Sequence, residues 1–594
     1  MLIVLLLLSF TCSALAATST LNKDFLTEFE ESGGLRTPSY EQTRQTSLRL
    51  ASSSNQITFT TFGFSPEGRD LMLLIADRDG AATPTAVRES GRAVLMLQAC
   101  IHAGESDGKD AGLMLLRDLA IGALPPELLD NVTILFLPIF NVDGHEHYGP
   151  LNRPNQNGPE EMGFRVTATN LNLNRDFMKA DAPEMLAWLD LYSAWMPDFL
   201  VDAHVSDGAD FQATLMYDMP IRGNMEAGLS LWSRDVFLHD LESSLADAHE
   251  LLMPYGGFRR WHDPRSGINV WISGPRYTHG YTAIRNRPGL LLETHVLKDY
   301  ATRVQGTYLV FLETLRILGR EHDTLGRLIA DADQATASAD FRRLPYPLTF
   351  RRSDVDSVMI DFPGFDYDMV QSEVTGGQYP VFHRDRPETM RIPLFGSFEP
   401  ETMVLVPEAF LIPPQWSDVI ELIERHGVVV ERLTKAVTMK AESVRFEGVS
   451  WAEKPFEGRH QLSYHTTSDV AERSFPVGTA LVDLAQPGAR LVLHALHPEG
   501  PDALVRWGFF NPIFERKEYI ESYILEPLLP GMLANDPALA AEWDAAREAS
   551  PELLENHWSA LLWFYERSPW WDDRIGRYPI AWTFDRVMVD ELTH

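Results

Sequence analysis

Cysteine is nearly missing from this chain: two occur in 594 residues, and Cys12 falls in an apolar leader. Cys100 is left alone, so the mature protein has no internal disulfide to rely on. Cationic side chains are also scarce, with 51 Lys and Arg against 84 Asp and Glu and a formal net charge of -33. Phosphate binding needs clustered Lys and Arg, so this balance argues against a nucleic-acid partner and speaks for solubility. Beyond the leader no apolar run is long enough to span a bilayer, and there is no internal repeat or low-complexity tract. What remains is an ordinary globular composition, 45% hydrophobic and 23% charged, in a chain long enough for two or more domains.

The leader itself is informative. Leu2 to Leu8 is apolar and is followed by Ser13-Ala14-Leu15-Ala16-Ala17, an A-x-A cleavage pattern, although a basic n-region is missing. Residues 1–16 therefore read as a secretory signal peptide, too short to span a membrane. The expectation is an exported protein, periplasmic or secreted.

The rest of the chain is organised around Arg92 to Leu119. Ala93 to Ile101 is almost continuously apolar, as in a strand covered on both faces. It empties into His102-Ala-Gly-Glu105, and Ser106, Asp107 and Asp110 then suit the start of a helix. An imidazole and a carboxylate three residues apart on a tight turn can grip one face of a zinc ion, with a third ligand from elsewhere and a position left open. Alone, the pair is weak evidence: chance occurrences are common in a chain this long, and a capping His and Glu is the commoner reading.

Two later strands end in the same manner. Phe199-Leu200-Val201 delivers Asp202-Ala203-His204, and Leu290-Leu291-Leu292 delivers Glu293. Taken singly, His204 reads as a buried, hydrogen-bonded histidine and Glu293 as a partner of Arg285 or Arg287. Taken together, four such side chains at strand ends fit one pocket at the carboxyl edge of an open sheet. Between them, Asn170-Leu171-Asn172-Leu173-Asn174-Arg175-Asp176 groups amides and a guanidinium that suit a carboxylate, or else forms an Asx turn with Arg175 paired to Asp176. Asp181 with Glu184 reads as a capping box for the next helix, and a helix of about two dozen residues is expected from Thr302. After about Arg343 short strands and Pro- and Gly-marked turns dominate, including expected strands at Thr479 to Asp483 and Arg490 to His494.

Over roughly Tyr40 to Gly319 these motifs resemble the zinc carboxypeptidase family of the carboxypeptidase A type, with the later region resembling a segment that accompanies some bacterial, secreted members. The resemblance implies one zinc ion per chain on His102, Glu105 and His204, with Glu293 as the general base that takes a proton from zinc-bound water. It implies Asn174 and Arg175 as the pair that holds a terminal carboxylate. Arg165 of Phe164-Arg165 would polarise the scissile carbonyl, with Arg153 as a rival, and Tyr277 or Tyr281 would be the mobile tyrosine that caps the substrate. The implied function is hydrolysis of the C-terminal bond of peptides with a free carboxylate. Another zinc amidohydrolase on the same scaffold, an N-acyl-amino-acid deacylase or a peptidoglycan amidase, is the alternative; a non-catalytic binding protein is a third. The expected architecture is α/β: a mixed, mostly parallel central sheet with helices on both faces over residues 17–342, followed by a β-rich α+β accessory region over residues 343–594. The sequence does not indicate an oligomeric state.

Overall fold

The computed structural model describes residues 25–206 and 208–593; the expected signal peptide lies outside them. Ten strands of the first half matter for the site: β1 (Ile57–Phe64), β2 (Asp70–Ala76), β3 (Ala93–Ala99), β4 (Val132–Leu137), β5 (Phe199–Ser206), β6 (Leu215–Asp218), β7 (Leu252–Pro254), β8 (Gly257–Arg260), β9 (Asp263–Asn269) and β10 (Gly289–His295). Eight of them form one sheet in the order β1-β2-β4-β3-β5-β10-β6-β7. The centre, β4-β3-β5-β10, is parallel, while β2 and β6 join it antiparallel. This is the mixed α/β sheet expected from the buried apolar runs, with helices on both faces and a β-rich region after it.

Alternation along the strands divides the interior. Val94 and Met96 of β3 enter one core with Met185, Trp188 and Leu189 of the Pro183–Trp195 helix, while Leu95 and Leu97 enter another with the Asp107–Ala120 and Tyr300–Ala337 helices. Successive strand side chains point to opposite faces, so a nine-residue apolar stretch serves both layers. The Tyr300–Ala337 helix has 38 residues, longer than its sequence suggested, because its buried side recurs to Ala332 and Thr336. Arg303 of this helix pairs with Asp107 at 2.9 Å, and Asp107 also accepts a hydrogen bond from Thr294. These buried contacts tie the start of the Asp107–Ala120 helix to the end of β10.

Two local expectations are overturned. Arg490 to His494 lies in an Ala489–Leu496 helix whose residues are all buried; a short apolar run cannot reveal its own period. The Pro183–Trp195 helix has Ala182 as N-cap without a side-chain cap. Asp176 instead accepts from the Asp181 and Ala182 N–H groups, at 3.1 and 2.9 Å.

Past Arg343, the chain remains packed on the first half. The core around Trp188 and Tyr281 continues through Phe410, Ile423 and Val428 to Trp582. Phe395 and Leu394 pair with β9 in a four-stranded sheet, and Arg459 grips Asp181 with two bonds of 2.7 Å. No helix among the described residues is long and apolar enough to cross a membrane.

Candidate active site

The His102–Glu105 turn begins where β3 ends. Cys100, buried and unpaired, takes φ 56°, which swings the chain out of the sheet, and the Glu105 N–H closes the turn on the His102 carbonyl at 2.9 Å. Gly104 is required here: a Cβ would lie 2.6 Å from the Gly163 carbonyl and 2.8 Å from the Arg153 side chain. β5 and β10 run further than their apolar runs suggested, so His204 and Glu293 sit within strands and face each other in parallel register.

Three donors converge. His204 Nδ1 and His102 Nδ1 are 3.2 Å apart, and each lies 3.0 to 3.2 Å from the Glu105 carboxylate. All three side chains are buried. Ligand atoms about 2.0–2.1 Å from a tetrahedral ion stand about 3.3 Å from one another, so the spacing fits a zinc ion between them. With both ring protons on the outer Nε2 atoms, two imidazole lone pairs and a carboxylate edge face one another, an arrangement that a cation relieves. The outer nitrogens are held as a metal site requires: His204 Nε2 faces Asp202 at 3.0 Å and His102 Nε2 faces the Asn172 side-chain oxygen at 3.1 Å. Each ring then donates Nε2–H outward and keeps the Nδ1 lone pair directed inward. Asp202 is fixed in turn by Gln98 at 3.0 Å and by the Thr278 hydroxyl, and Gln98 accepts the Trp188 indole N–H at 2.7 Å.

In front of these ligands lies a cleft of about 430 Å³ that Glu293, Arg153, Arg165, Ser206 and Tyr255 also line. Glu293 Oε2 is buried and meets no hydrogen-bond partner among the described residues. Burial pushes this carboxyl up to about 8, with the Glu105 and Asp202 charges adding to the effect and His204 and Arg165 opposing it. A carboxylate poised near neutrality suits a proton-transfer role. The two candidate arginines differ. Arg153 is 2.7 Å from Glu105 and its side chain is 15% exposed, whereas Arg165 is 3.5 Å away with a side chain 40% exposed to the cleft.

Asn174 lies against the same cluster, its side-chain nitrogen 3.5 Å from His204 Nε2. Arg175 stacks on the Tyr277 ring at 4.4 Å, donates to the Asn174 carbonyl at 2.6 Å, and has no carboxylate within ion-pair distance among the described residues. Its guanidinium is partly buried, and that burial lowers its pKa. A shielded cation without a counter-ion is a receptor for one. Tyr281 is placed elsewhere: it is fully buried among Phe177, Trp188 and Tyr192, with its hydroxyl 2.9 Å from His426.

Two participants were not singled out from the sequence. Asp202 stands two residues before His204 on one strand, hence on the same face, which was a readable signal. Asn172 had no such signal, since its role depends on a turn bringing it to His102. Its N–H in turn donates to Glu457 of the later region at 2.9 Å.

Residues 45–189 match the family model described as zinc carboxypeptidase. Among curated proteins, Carboxypeptidase 2 of Trichophyton rubrum is 24% identical over 527 residues, covering 82% of this chain and 88% of that protein. Probable carboxypeptidase 2 of Arthroderma benhamiae is 24% identical over 497 residues, covering 80% and 86%. Among solved structures, a metallo-carboxypeptidase from Burkholderia cenocepacia aligns with TM-score 0.36 at 20% identity over 48% of this chain and 70% of its own. Carboxypeptidase A from Helicoverpa armigera aligns with TM-score 0.36 at 18% identity over 54% and 78%. The family match and the curated relatives support the zinc carboxypeptidase family for this chain and indicate a metallocarboxypeptidase hydrolase.

Proposed function

We propose that this protein removes the C-terminal residue from peptides with a free carboxylate, using one zinc ion per chain held by His102, Glu105 and His204. The observation that carries this reading is the unpartnered Glu293 carboxylate, which opens into the same cleft as the three converging donors. Bound at those donors, a zinc ion would supply Lewis acidity and lower the pKa of a water towards neutrality. Glu293 takes the proton from water as its oxygen adds to the scissile carbonyl carbon, then returns that proton to the amine as the C–N bond breaks. Arg165, the more exposed of the two cleft arginines, donates to the carbonyl oxygen as it gains charge. Arg153, locked on Glu105, holds a ligand in place. Asn174 and Arg175 take the terminal carboxylate, and Tyr277, already stacked on Arg175, closes over it.

The chemistry is assigned to residues 17–342, with residues 343–594 as an accessory region that buttresses them. Residues 1–16 would be removed on export to the periplasm or the medium. The test compares one peptide as free acid and as amide, with wild type and Arg175→Ala. A charge-assisted pair is worth about 1.5–3 kcal/mol, so the variant should lose roughly ten- to a hundredfold in kcat/KM on the acid and little on the amide, itself a poor substrate. Equal wild-type rates on both forms would reject the exopeptidase and leave an amidohydrolase that reads another group.

A further inference from the structure

Beside the catalytic cleft lies a second cavity of about 260 Å³, walled by Met216, Met253, Phe258, Trp261, Trp271 and Phe362. The two share a wall. Tyr255 lines both, Ser206 of the cleft donates to the Met216 sulfur at 3.8 Å, and Met216 is the cross-strand partner of Glu293 in β6 and β10. The cavity is built by β6 to β9 and by Phe362 from the Val358–Gln371 strand of the accessory region, around a small core separate from the two that flank the main sheet.

The wall chemistry is selective. Apart from the His262 imidazole at the hairpin tip, the wall is uncharged, with no Asp, Glu, Lys or Arg among the described residues. Its rings brace one another edge to face: Tyr255 with Trp271 at 5.4 Å and 83°, Phe258 with Phe362 at 5.7 Å and 86°. Such a surface favours a flat or polarisable apolar group and penalises a charge, which would lose water without gaining a partner. At the tip of the β8–β9 hairpin, Trp261 remains 78% exposed at the rim. Its ring continues the apolar wall of the cavity into solvent as one contiguous surface, the kind that marks a binding groove.

We propose that this cavity receives an apolar, preferentially aromatic, side chain from the acyl portion of the peptide, upstream of the bond that is cut. The proposal rests on the carboxypeptidase reading for its direction. An exopeptidase that anchors the terminal carboxylate at Arg175 has one residue on that side, and neither Asn174, Arg175 nor Tyr277 lines the cleft or the cavity. Whatever occupies the space past Tyr255 therefore belongs to the rest of the peptide.

The test scans phenylalanine, alanine and aspartate through the three positions upstream of the scissile bond in free-acid peptides with a constant last residue. Wild type should prefer phenylalanine over alanine roughly tenfold or more in kcat/KM at one of those positions, mainly through KM, and reject aspartate there. Trp261→Ala and Trp271→Ala should each erase most of that preference, lowering kcat/KM far more for the phenylalanine peptide than for the alanine peptide. In parallel, binding of N-acetylphenylalaninamide is titrated; this probe has no carboxylate for Arg175, and both variants should weaken it severalfold. No upstream preference together with equal probe binding by wild type and variants overturns the cavity while leaving the carboxypeptidase intact, as does a preference that both variants retain. Probe binding weakened by both variants in a protein that releases no terminal residue keeps the cavity and removes the carboxypeptidase.

Discussion

Asp202→Asn should separate zinc affinity from protein stability in a way the hydrogen-bond network dictates. In the wild-type protein Gln98 gives its oxygen to Trp188 at 2.7 Å and so turns its NH2 toward position 202 at 3.0 Å. On the other side His204 Nε2 and the Thr278 hydroxyl also donate to that position. A carboxylate satisfies all three donors; an amide has one oxygen to offer. If the Asn oxygen faces Gln98, its NH2 faces His204, which must then carry its proton on Nδ1, the atom needed by the metal. Partner loss of this kind costs about ten- to a hundredfold in metal affinity, or about 1.4–2.7 kcal/mol. If the oxygen faces His204, two buried NH2 groups confront each other at no solvent contact, at a cost of about 1–3 kcal/mol of stability. Zinc affinity by chelator competition and urea unfolding of the same preparation read the two outcomes. An Asp202→Asn protein with zinc affinity within twofold of wild type and an unchanged unfolding midpoint would refute the network and with it the assigned tautomer of His204.

Two other perturbations follow from buried carboxylates. Glu293→Gln should retain zinc and substrate affinity and lose about a hundred- to ten-thousandfold in kcat, checked by elemental analysis and steady-state rates; a variant with near wild-type turnover would move the proton transfer elsewhere. Glu184 is fully buried with both oxygens unpartnered, and burial pushes it up to about 7 from an ordinary 4.5. Below 4.5 both states hold the proton; between 4.5 and 7 only the folded state does, so stability falls as pH rises, by about 3 kcal/mol in all once past 7. Glu184→Gln should remove that slope and be the more stable protein at pH 8, and parallel unfolding curves at pH 5 and 8 for both proteins would contradict this.

The place of the His102–Glu105 turn was legible because an apolar strand cannot continue through His102 and Glu105, and the break in pattern marks the sheet's edge. His204 and Glu293 were legible for the same reason, although both strands run on through them: burial on both faces hides where a strand stops once polar residues face a cleft. The capping box at Asp181 was misread because the helix is entered one residue later, with Ala182 as N-cap, and the Asp181 carboxylate is taken by Lys179 and Arg459. Tyr277 and Tyr281 stood four residues apart in a suitable stretch, and only packing tells a ring stacked on Arg175 from one enclosed by Trp188. The cavity beyond Tyr255 could not be read at all, since its wall needs Phe362 beside Phe258 across a hundred residues of chain.

The accessory region reaches the site through few bonds, but they fall where the site is least supported by its own sheet. His204 is braced from within β3 and β5, through Asp202 and Gln98, whereas His102 relies on Asn172 in a loop that carries only a single 3-10 turn, Leu173–Arg175. That loop is pinned at its start by Glu457 on the Asn172 N–H and at its end by Arg459 on Asp181, two residues of one short turn after Phe456. The same loop carries Asn174 and Arg175. Removing residues 343–594 would therefore loosen one proposed zinc ligand and the proposed carboxylate receptor together, and would uncover the Trp188 and Tyr281 core as well. The alignment with the fungal relatives agrees with this dependence: 82% of the chain cannot fit within residues 17–342, so both regions persist in one protein at 24% identity.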